Sequence, residues 1–307
     1  MVNSLELANV TKEYPGLTAV DDVSFNMPEG CLMALVGHNG AGKSTLIKLM
    51  LGLIRPTSGH LSVLGEDPAT SKATKARSRV GFLPESVAFE GAMTGREVLS
   101  FFAKLKGENV TKSMELFDLV GLEYAVDNKI KTYSKGMRQR LGLAQALLGK
   151  PEVLFLDEPT SGLDPAAQRH FYDIVKGLKA DGASILICSH ALTELEAQAD
   201  LVAMMNSGHM MACASLDELR QKADIPTQVR IRVTEGMASI VAEKLTGNGT
   251  PTYVNGSHVE LAISNAHKML VLKQVSDLGA DIIDVDVQAP SLDKLYASFC
   301  QREEAGR

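Results

Sequence analysis

Gly37, His38, Asn39, Gly40, Ala41, Gly42, Lys43 and Ser44 have the composition of a backbone cradle for phosphate. Glycines let successive N–H groups converge on phosphate oxygens, Lys43 supplies a cation that reaches the outer phosphates, and the Ser44 hydroxyl suits Mg²⁺. Thr45 continues the turn into STLIKLMLGL, which has helical spacing, and an apolar run, CLMALVG at 31–37, precedes the loop. Strand, glycine turn and helix are the context this chemistry needs, because the helix N-terminus adds its own unpaired N–H groups.

A second run, VLFLDEP, begins at Val153 and delivers Asp157 and Glu158 to the end of an apolar strand. In α/β sheets that end is where ligands bind. There Asp157 suits a Mg²⁺ ligand and Glu158 a group that polarises an attacking water. SILICS at 184–189 leads to His190, again at a strand end, where an imidazole is placed to touch a γ-phosphate.

These residues have to be positioned by a sheet. The apolar runs at 31–37, 153–157 and 184–189 are separated by long helical patterns, which predicts an α/β fold with a largely parallel sheet. Between the first two lies a stretch of helical periodicity from Thr94 to Gly149, including REVLSFFAKLKG and SMELFDLVGL, read as an inserted helical subdomain at about 90–150. From Gln221 to Thr227 the periodicity weakens around a proline, predicting a first domain over 1–222 and a second over 228–307. In that tail VRIRV, HVELAI and IIDVDV alternate apolar with polar residues, while MASIVAEKL and HKMLVLKQVSDL have helical spacing. Strand, helix, strand, strand, helix, strand describes a small α+β sandwich of ferredoxin-like order.

Composition narrows the function. The formal charge is −6, and the tail from residue 225 carries 8 Lys/Arg against 10 Asp/Glu, so no basic face marks a nucleic-acid partner. Cys31, Cys188, Cys213 and Cys300 form no CxxC pair, so neither a disulfide framework nor a zinc site is suggested and a reducing cytoplasm fits. No window approaches the 18 to 20 apolar residues that roughly span a bilayer, so a membrane role requires a partner.

Tyr133, Ser134, Lys135, Gly136, Met137, Arg138, Gln139 and Arg140, followed by the helical LGLAQALLG, stand 13 positions ahead of Val153 counting from Arg140. With the DEPTSGLD run at 157–164, this segment resembles the signature and D-loop of the ABC transporter ATPases, and the resemblance covers residues 1 to about 220. It implies a homodimer that sandwiches two ATP molecules, each held by the phosphate loop of one chain and by the signature helix N-terminus of the other. Ser134 and Gly136 match the signature positions, Tyr14 the aromatic that stacks on adenine, Asp164 the D-loop aspartate and His190 the switch histidine. Glu158 then orients or deprotonates the attacking water, Lys43 stabilises charge on the transferred phosphoryl group, and a membrane permease is the driven partner. The location implied is cytoplasmic, at the inner face of the cytoplasmic membrane.

Two departures stand out. Glu85, in VGFLPESVAF, occupies the position where most ABC ATPases carry Gln, so the oxygen that faces Mg²⁺ and senses the permease carries a full charge. The signature reads YSKGM in place of LSGGQ, which adds the cation of Lys135 near the phosphates. These features, the C-terminal sandwich and the closing PSLDKLYASF are similar to the NosF-type subgroup, whose transporter matures copper-containing nitrous oxide reductase, with a periplasmic copper-maturation protein as a further partner. Drug, sodium and lipid exporters share the layout, and a soluble ATP-dependent regulator is the alternative from another class.

The stretch MMNSGHMMAC, with Met204, Met205, His209, Met210, Met211 and Cys213, contains the soft ligands Cu(I) prefers. Its pattern, LVAMMNSGHMMACAS, reads better as two strands around a Ser-Gly turn with methionines filling the sheet.

Overall fold

The computed structural model describes residues 2–189, 192–245, 250–264 and 267–306. They divide into two compact units, Met1–Ser215 and Leu216–Arg307.

The first unit opens with a long antiparallel hairpin, β1 (Asn3–Tyr14) and β2 (Leu17–Pro28), which turns through Gly16 at φ 78. All five residues of β3 (Leu32–Val36) are buried, as a strand covered on both faces requires. α1 (Lys43–Met50) follows, and β4 (Ser58–Val63) then completes a small antiparallel sheet of order β2-β1-β4. α2 (Thr74–Ser78) and β5 (Val80–Leu83) lead into the helical insertion: α3 (Gly95–Lys106), α4 (Val110–Ser113), α5 (Glu115–Leu119) and α6 (Lys135–Ala146). α3 starts in a capping box, Thr94 accepting from the Glu97 N–H while the Glu97 carboxylate accepts from the Thr94 N–H, and its C-cap is Gly107 at φ 79.

The chain then returns to the sheet through β6 (Val153–Asp157), α7 (Pro165–Ala180), β7 (Ser184–Cys188), α8 (Leu192–Glu196), β8 (Leu201–Asn206) and β9 (His209–Ala214). The order is β5-β6-β7-β3-β8-β9, parallel from β5 to β8, with β9 antiparallel at the edge. The core lies between this sheet, α1 and the β1-β2-β4 sheet, built on Leu35, Leu46, Leu49, Phe155 and Leu186, each almost fully buried. The methionine-rich stretch is the β8–β9 hairpin, turning through Ser207 (φ 47) and Gly208 (φ 88), with Met204 and Met205 buried in the sheet.

The second unit comprises α9 (Leu216–Ala223), β10 (Thr227–Val233), α10 (Ala238–Leu245), β11 (Thr250–Asn255), β12 (His258–Ile263), α11 (Lys268–Asp277), β13 (Ile282–Gln288) and α12 (Leu292–Gly306). Its antiparallel sheet has the order β11-β12-β10-β13, the ferredoxin-like arrangement. β10 alternates strictly: Val229, Ile231 and Val233 are buried against α10 and α11, while Arg230 and Arg232 point outward, Arg230 pairing with Glu260 at 2.7 Å. The division between units falls ahead of α9, earlier than the weak-periodicity stretch at 221–227. The cause is packing: Arg302 of α12 donates to Lys222 O and Ala223 O, fastening α9 to the end of the chain.

Candidate nucleotide site

The phosphate loop leaves the carboxyl end of β3, and the acidic pair leaves the carboxyl end of β6. Both flank the end of β7, since Cys188 lies in register with Leu35 on one side and with Asp157 on the other. The loop is close-packed and tolerates no side chain at two positions. A Cβ on Gly37 would stand 2.6 Å from Met205 O, and one on Gly42, at φ 102, would stand 2.5 Å from Ala19 O.

Gly42 is the N-cap of α1, with no side-chain cap and no acidic residue in the first turn, so the opening N–H groups remain available to an anion. Lys43 Nζ donates to Gly37 O at 2.5 Å and to His38 O at 3.1 Å, which parks its ammonium across the loop. His38 holds the outer side of the loop through Nδ1 to Asn39 O (2.6 Å) and Nε2 to Asn206 Oδ1 (2.8 Å). Asn39, Gly40, Ala41, Gly42, Lys43, Ser44 and Thr45 line a cleft of about 490 Å³, closed on the far side by Leu17, Thr18, Ala19 and Ser207. That volume suits a small-molecule ligand.

Asp157 and Glu158 differ in kind. Asp157 ends β6, and burial, then the negative charges of Glu85 and Glu158, raise its pKa above the ordinary carboxylate range; Lys43 and Lys48 oppose the shift. Glu158 sits at φ 47, a left-handed conformation uncommon outside glycine, and its N–H donates to Cys188 O at 2.9 Å. The fold thus holds the Glu158 backbone in a costly geometry at the strand end, a pattern found at functional positions.

A second cluster forms away from the cleft lining. Ser134 is the N-cap of α6 and accepts from Met137 N at 3.1 Å. Lys135 lies across the D-loop: its Nζ donates to Ser161 Oγ at 3.0 Å, and a Cβ on Gly162 (φ 79) would stand 2.7 Å from Lys135 Cδ. Gly136 faces the same segment, with Gly162 O 3.3 Å from where its Cβ would be. Asp164 caps α7, its Oδ1 accepting from Ala166 N (3.0 Å) and Ala167 N (2.9 Å). The cation of Lys135, expected near phosphate, is therefore turned onto Ser161 of its own chain.

Tyr14 stands at the hairpin tip in register with Leu17, is 41% exposed, and has Lys12 Nζ 5.2 Å from its ring centroid. The ring is part-exposed beside the cleft residue Leu17, with the Lys12 ammonium over it. His190 lies outside the described residues. Leu17, Thr18, Ala19 and Ser207 were not anticipated as site residues; the signals for them are the Pro15–Gly16 and Ser207–Gly208 turns, which place both hairpin tips over the loop.

This is the fold and loop of a P-loop ATPase with an inserted helical subdomain. The ABC transporter family profile matches residues 20–161. The linearmycin resistance ATP-binding protein LnrL of Bacillus subtilis (strain 168) is 30% identical over 307 residues, covering 97% of this chain and 98% of that protein. The daunorubicin/doxorubicin resistance ATP-binding protein DrrA of Streptomyces peucetius is 35% identical, over 79% of this chain and 74% of that one. A solved structure described as the ATP binding subunit of an ABC transporter superposes with a TM-score of 0.66 at 31% identity, covering 71% of this chain and 92% of that chain. The chain belongs to the ABC transporter family as an ATP-binding, ATP-hydrolysing subunit. Such subunits work as dimers with membrane permease partners. Among the described residues no helix is long and apolar enough to cross a membrane.

Proposed function

We propose that two copies of this chain close around two ATP molecules and that hydrolysis reopens them, driving a separate permease from the cytoplasmic face of the membrane. The carrying observation is the separation of the nucleotide groups into two clusters: the phosphate-loop cleft on one side, Ser134, Lys135, Gly136 and Asp164 on the other. Either cluster alone is half a site. The N-terminus of α6 supplies anion-binding N–H groups that a second copy can bring to the γ-phosphate.

Within each half the roles are those that the resemblance to the ABC ATPases implies. Gly37, His38, Asn39, Gly40, Ala41 and Gly42 present backbone N–H groups to the phosphates, and Lys43 moves from Gly37 O to the β- and γ-oxygens. Tyr14 stacks on adenine. Glu158, beside the buried Asp157, orients or accepts a proton from the attacking water, and His190 contacts the γ-phosphate. Burial and then the neighbouring carboxylates of Glu85 and Glu158 raise the pKa of Asp157, a grouping of carboxylates that supports the reading of a site for a hard dication. Ser44, Asp157 and Glu85 are the residues that would hold Mg²⁺, which when bound neutralises charge on the phosphoryl oxygens.

The permease is assigned to the groove between β5 and α3, lined by Gly81, Phe82, Phe102 and Leu105 and about 700 Å³ in volume. Leu105, which lines this groove, is 74% exposed, Phe101 on the same helix is 55% exposed, and β5 ends two residues before Glu85. For the cargo, KTYSKGMRQRLGLAQALLG and PSLDKLYASF support the NosF-type reading, maturation of copper-containing nitrous oxide reductase with a periplasmic copper-maturation protein in the complex. Drug export is the second reading, supported by end-to-end similarity to the linearmycin resistance protein LnrL and by similarity to the daunorubicin/doxorubicin resistance protein DrrA. Purification of the tagged chain from native membranes with ATP and Mg²⁺ tests both. Recovery of a polytopic permease with a copper-maturation factor supports the first reading, a permease alone supports the second, and a pool without any membrane protein contradicts both.

A further inference from the structure

The turn of the β8–β9 hairpin grips the phosphate loop through residues to which the reading above gives no role. Met205 O packs against Gly37, where a Cβ would stand 2.6 Å away. Asn206 Oδ1 lies 2.8 Å from Nε2 of His38, and Gly208 N donates to Ala41 O at 3.1 Å. Gly208 O in turn accepts from Asp21 N at 2.9 Å, which joins the same turn to β2, whose residues 17–19 wall the cleft. The turn is tight: Asn206 is in register with His209, and Ser207 and Gly208 pass between them at positive φ.

Met205 and Gly208 reach the loop through backbone atoms, whereas Asn206 reaches it through its side chain, so residue type matters there. The residue it holds is one that packing does little to fix: His38, Asn39 and Gly40 are exposed, while Ala41 beyond them is buried. His38 Nδ1 faces Asn39 O at 2.6 Å, and a carbonyl oxygen only accepts, so Nδ1 carries a proton. Nε2 then meets an amide, whose oxygen accepts from a charged ring and whose NH₂ group donates to a neutral one. The clasp therefore holds in either state of the ring. His38 also offers its carbonyl to Lys43 Nζ at 3.1 Å, so the position of this residue helps set where the ammonium rests.

We propose that Asn206 is a positioning residue for nucleotide: through the His38 ring it holds the 37–40 limb of the loop in its phosphate-binding shape before ATP arrives. The inference rests on the role given above to the phosphate loop. Asn206 does not line the cleft, so it acts through His38 rather than on the ligand. ATP then meets an ordered loop, and the entropy cost of ordering it is not drawn from binding. The bond is present before ATP binds and is not made anew in the transition state, so its loss falls on affinity and not on the chemical step.

The test uses the full chain purified with its membrane partner, in ATP-binding measurements by fluorescence, steady-state ATPase assays and thermal melts. Asn206→Leu keeps the size of the side chain and removes both polar atoms. Kd and KM for ATP are expected to rise about fivefold, with kcat within about twofold and Tm little changed. His38→Ala keeps the backbone N–H and opens the clasp from the other side. It should weaken ATP binding at least as much, and the double variant should bind no more weakly than His38→Ala, since residues acting as one unit do not lose affinity independently. Wild-type Kd in Asn206→Leu, losses that multiply in the double variant, or a fall of Tm and kcat alongside the loss of affinity overturns the proposal. A wild-type complex that binds ATP without hydrolysing it contradicts the proposed function, and the comparison of Kd values still decides the role of Asn206.

Discussion

Lys135 lies flat across Gly162, with its ammonium 3.0 Å from Ser161 Oγ, so the first residue of the signature helix is clasped to the D-loop of the same chain. Position 162 has φ 79, a left-handed conformation that favours glycine, and the missing side chain leaves room for the Lys135 stem. The two elements proposed to serve the partner's nucleotide are therefore joined by a side-chain hydrogen bond, and the account expects them to act as a unit. Ser161→Ala and Lys135→Met should lower ATP turnover to a similar degree, and the double variant should fall no further; steady-state kinetics decides. If Lys135 works instead through a direct contact with phosphate, Ser161→Ala leaves turnover at the wild-type level and only Lys135→Met loses it.

Glu158→Gln should retain ATP binding, lose about a hundredfold or more in turnover, and accumulate a closed dimer with ATP. Nucleotide binding by fluorescence and size-exclusion chromatography with ATP separate these effects. A monomeric, ATP-bound Glu158→Gln variant contradicts the assignment.

The charge around Asp157 predicts a pH dependence. Its pKa in the folded chain is raised above the unfolded value near 3.8, so the folded state holds the proton to higher pH and ionisation costs stability as pH rises through the raised value. Asp157→Asn should therefore raise the Tm of the nucleotide-free chain at neutral pH, with the gain shrinking as pH is lowered toward 3.8. Binding of Mg²⁺ with nucleotide needs the ionised carboxylate and should weaken over the same fall in pH. Glu85→Gln removes a like charge beside Asp157 and should move that acid limb to lower pH. Calorimetric titration of Mg²⁺-ATP across pH measures both effects.

Phe101 and Leu105 are large apolar side chains exposed on α3 beside the β5 groove. Replacing both with Glu should leave the ATP affinity of the isolated chain unchanged and abolish its recovery with the permease. Loss of nucleotide binding together with the permease would contradict a role confined to docking.

The parts of this architecture that were legible in the sequence are local. The largely apolar strands at 32–36, 153–157 and 184–188 and the glycine turn before Lys43 follow from neighbours in the chain. β1 and β2 were not legible, because their alternation is broken by register shifts and by the left-handed residues Asn9 and Asp22. The direction of Lys135 depends on Gly162, and the attachment of α9 depends on Arg302 at the other end of the chain. Such contacts carry no periodicity. The strained backbone of Glu158 is similarly invisible in VLFLDEP, because the hydrogen bond to Cys188 O that helps hold it comes from the neighbouring strand.

The central claim is that each ATP is held by the phosphate loop of one chain and the signature helix of the other. The most direct measurement mixes two inactive full-length variants, Lys43→Ala and Ser134→Arg, and assays ATP hydrolysis. A mixed dimer contains one complete site, the loop from the Ser134→Arg chain and the signature from the Lys43→Ala chain, so mixing should restore up to about a quarter of wild-type turnover for random pairing of a two-fold dimer. Mixtures that stay as inactive as their components, while forming mixed dimers, would contradict the shared site.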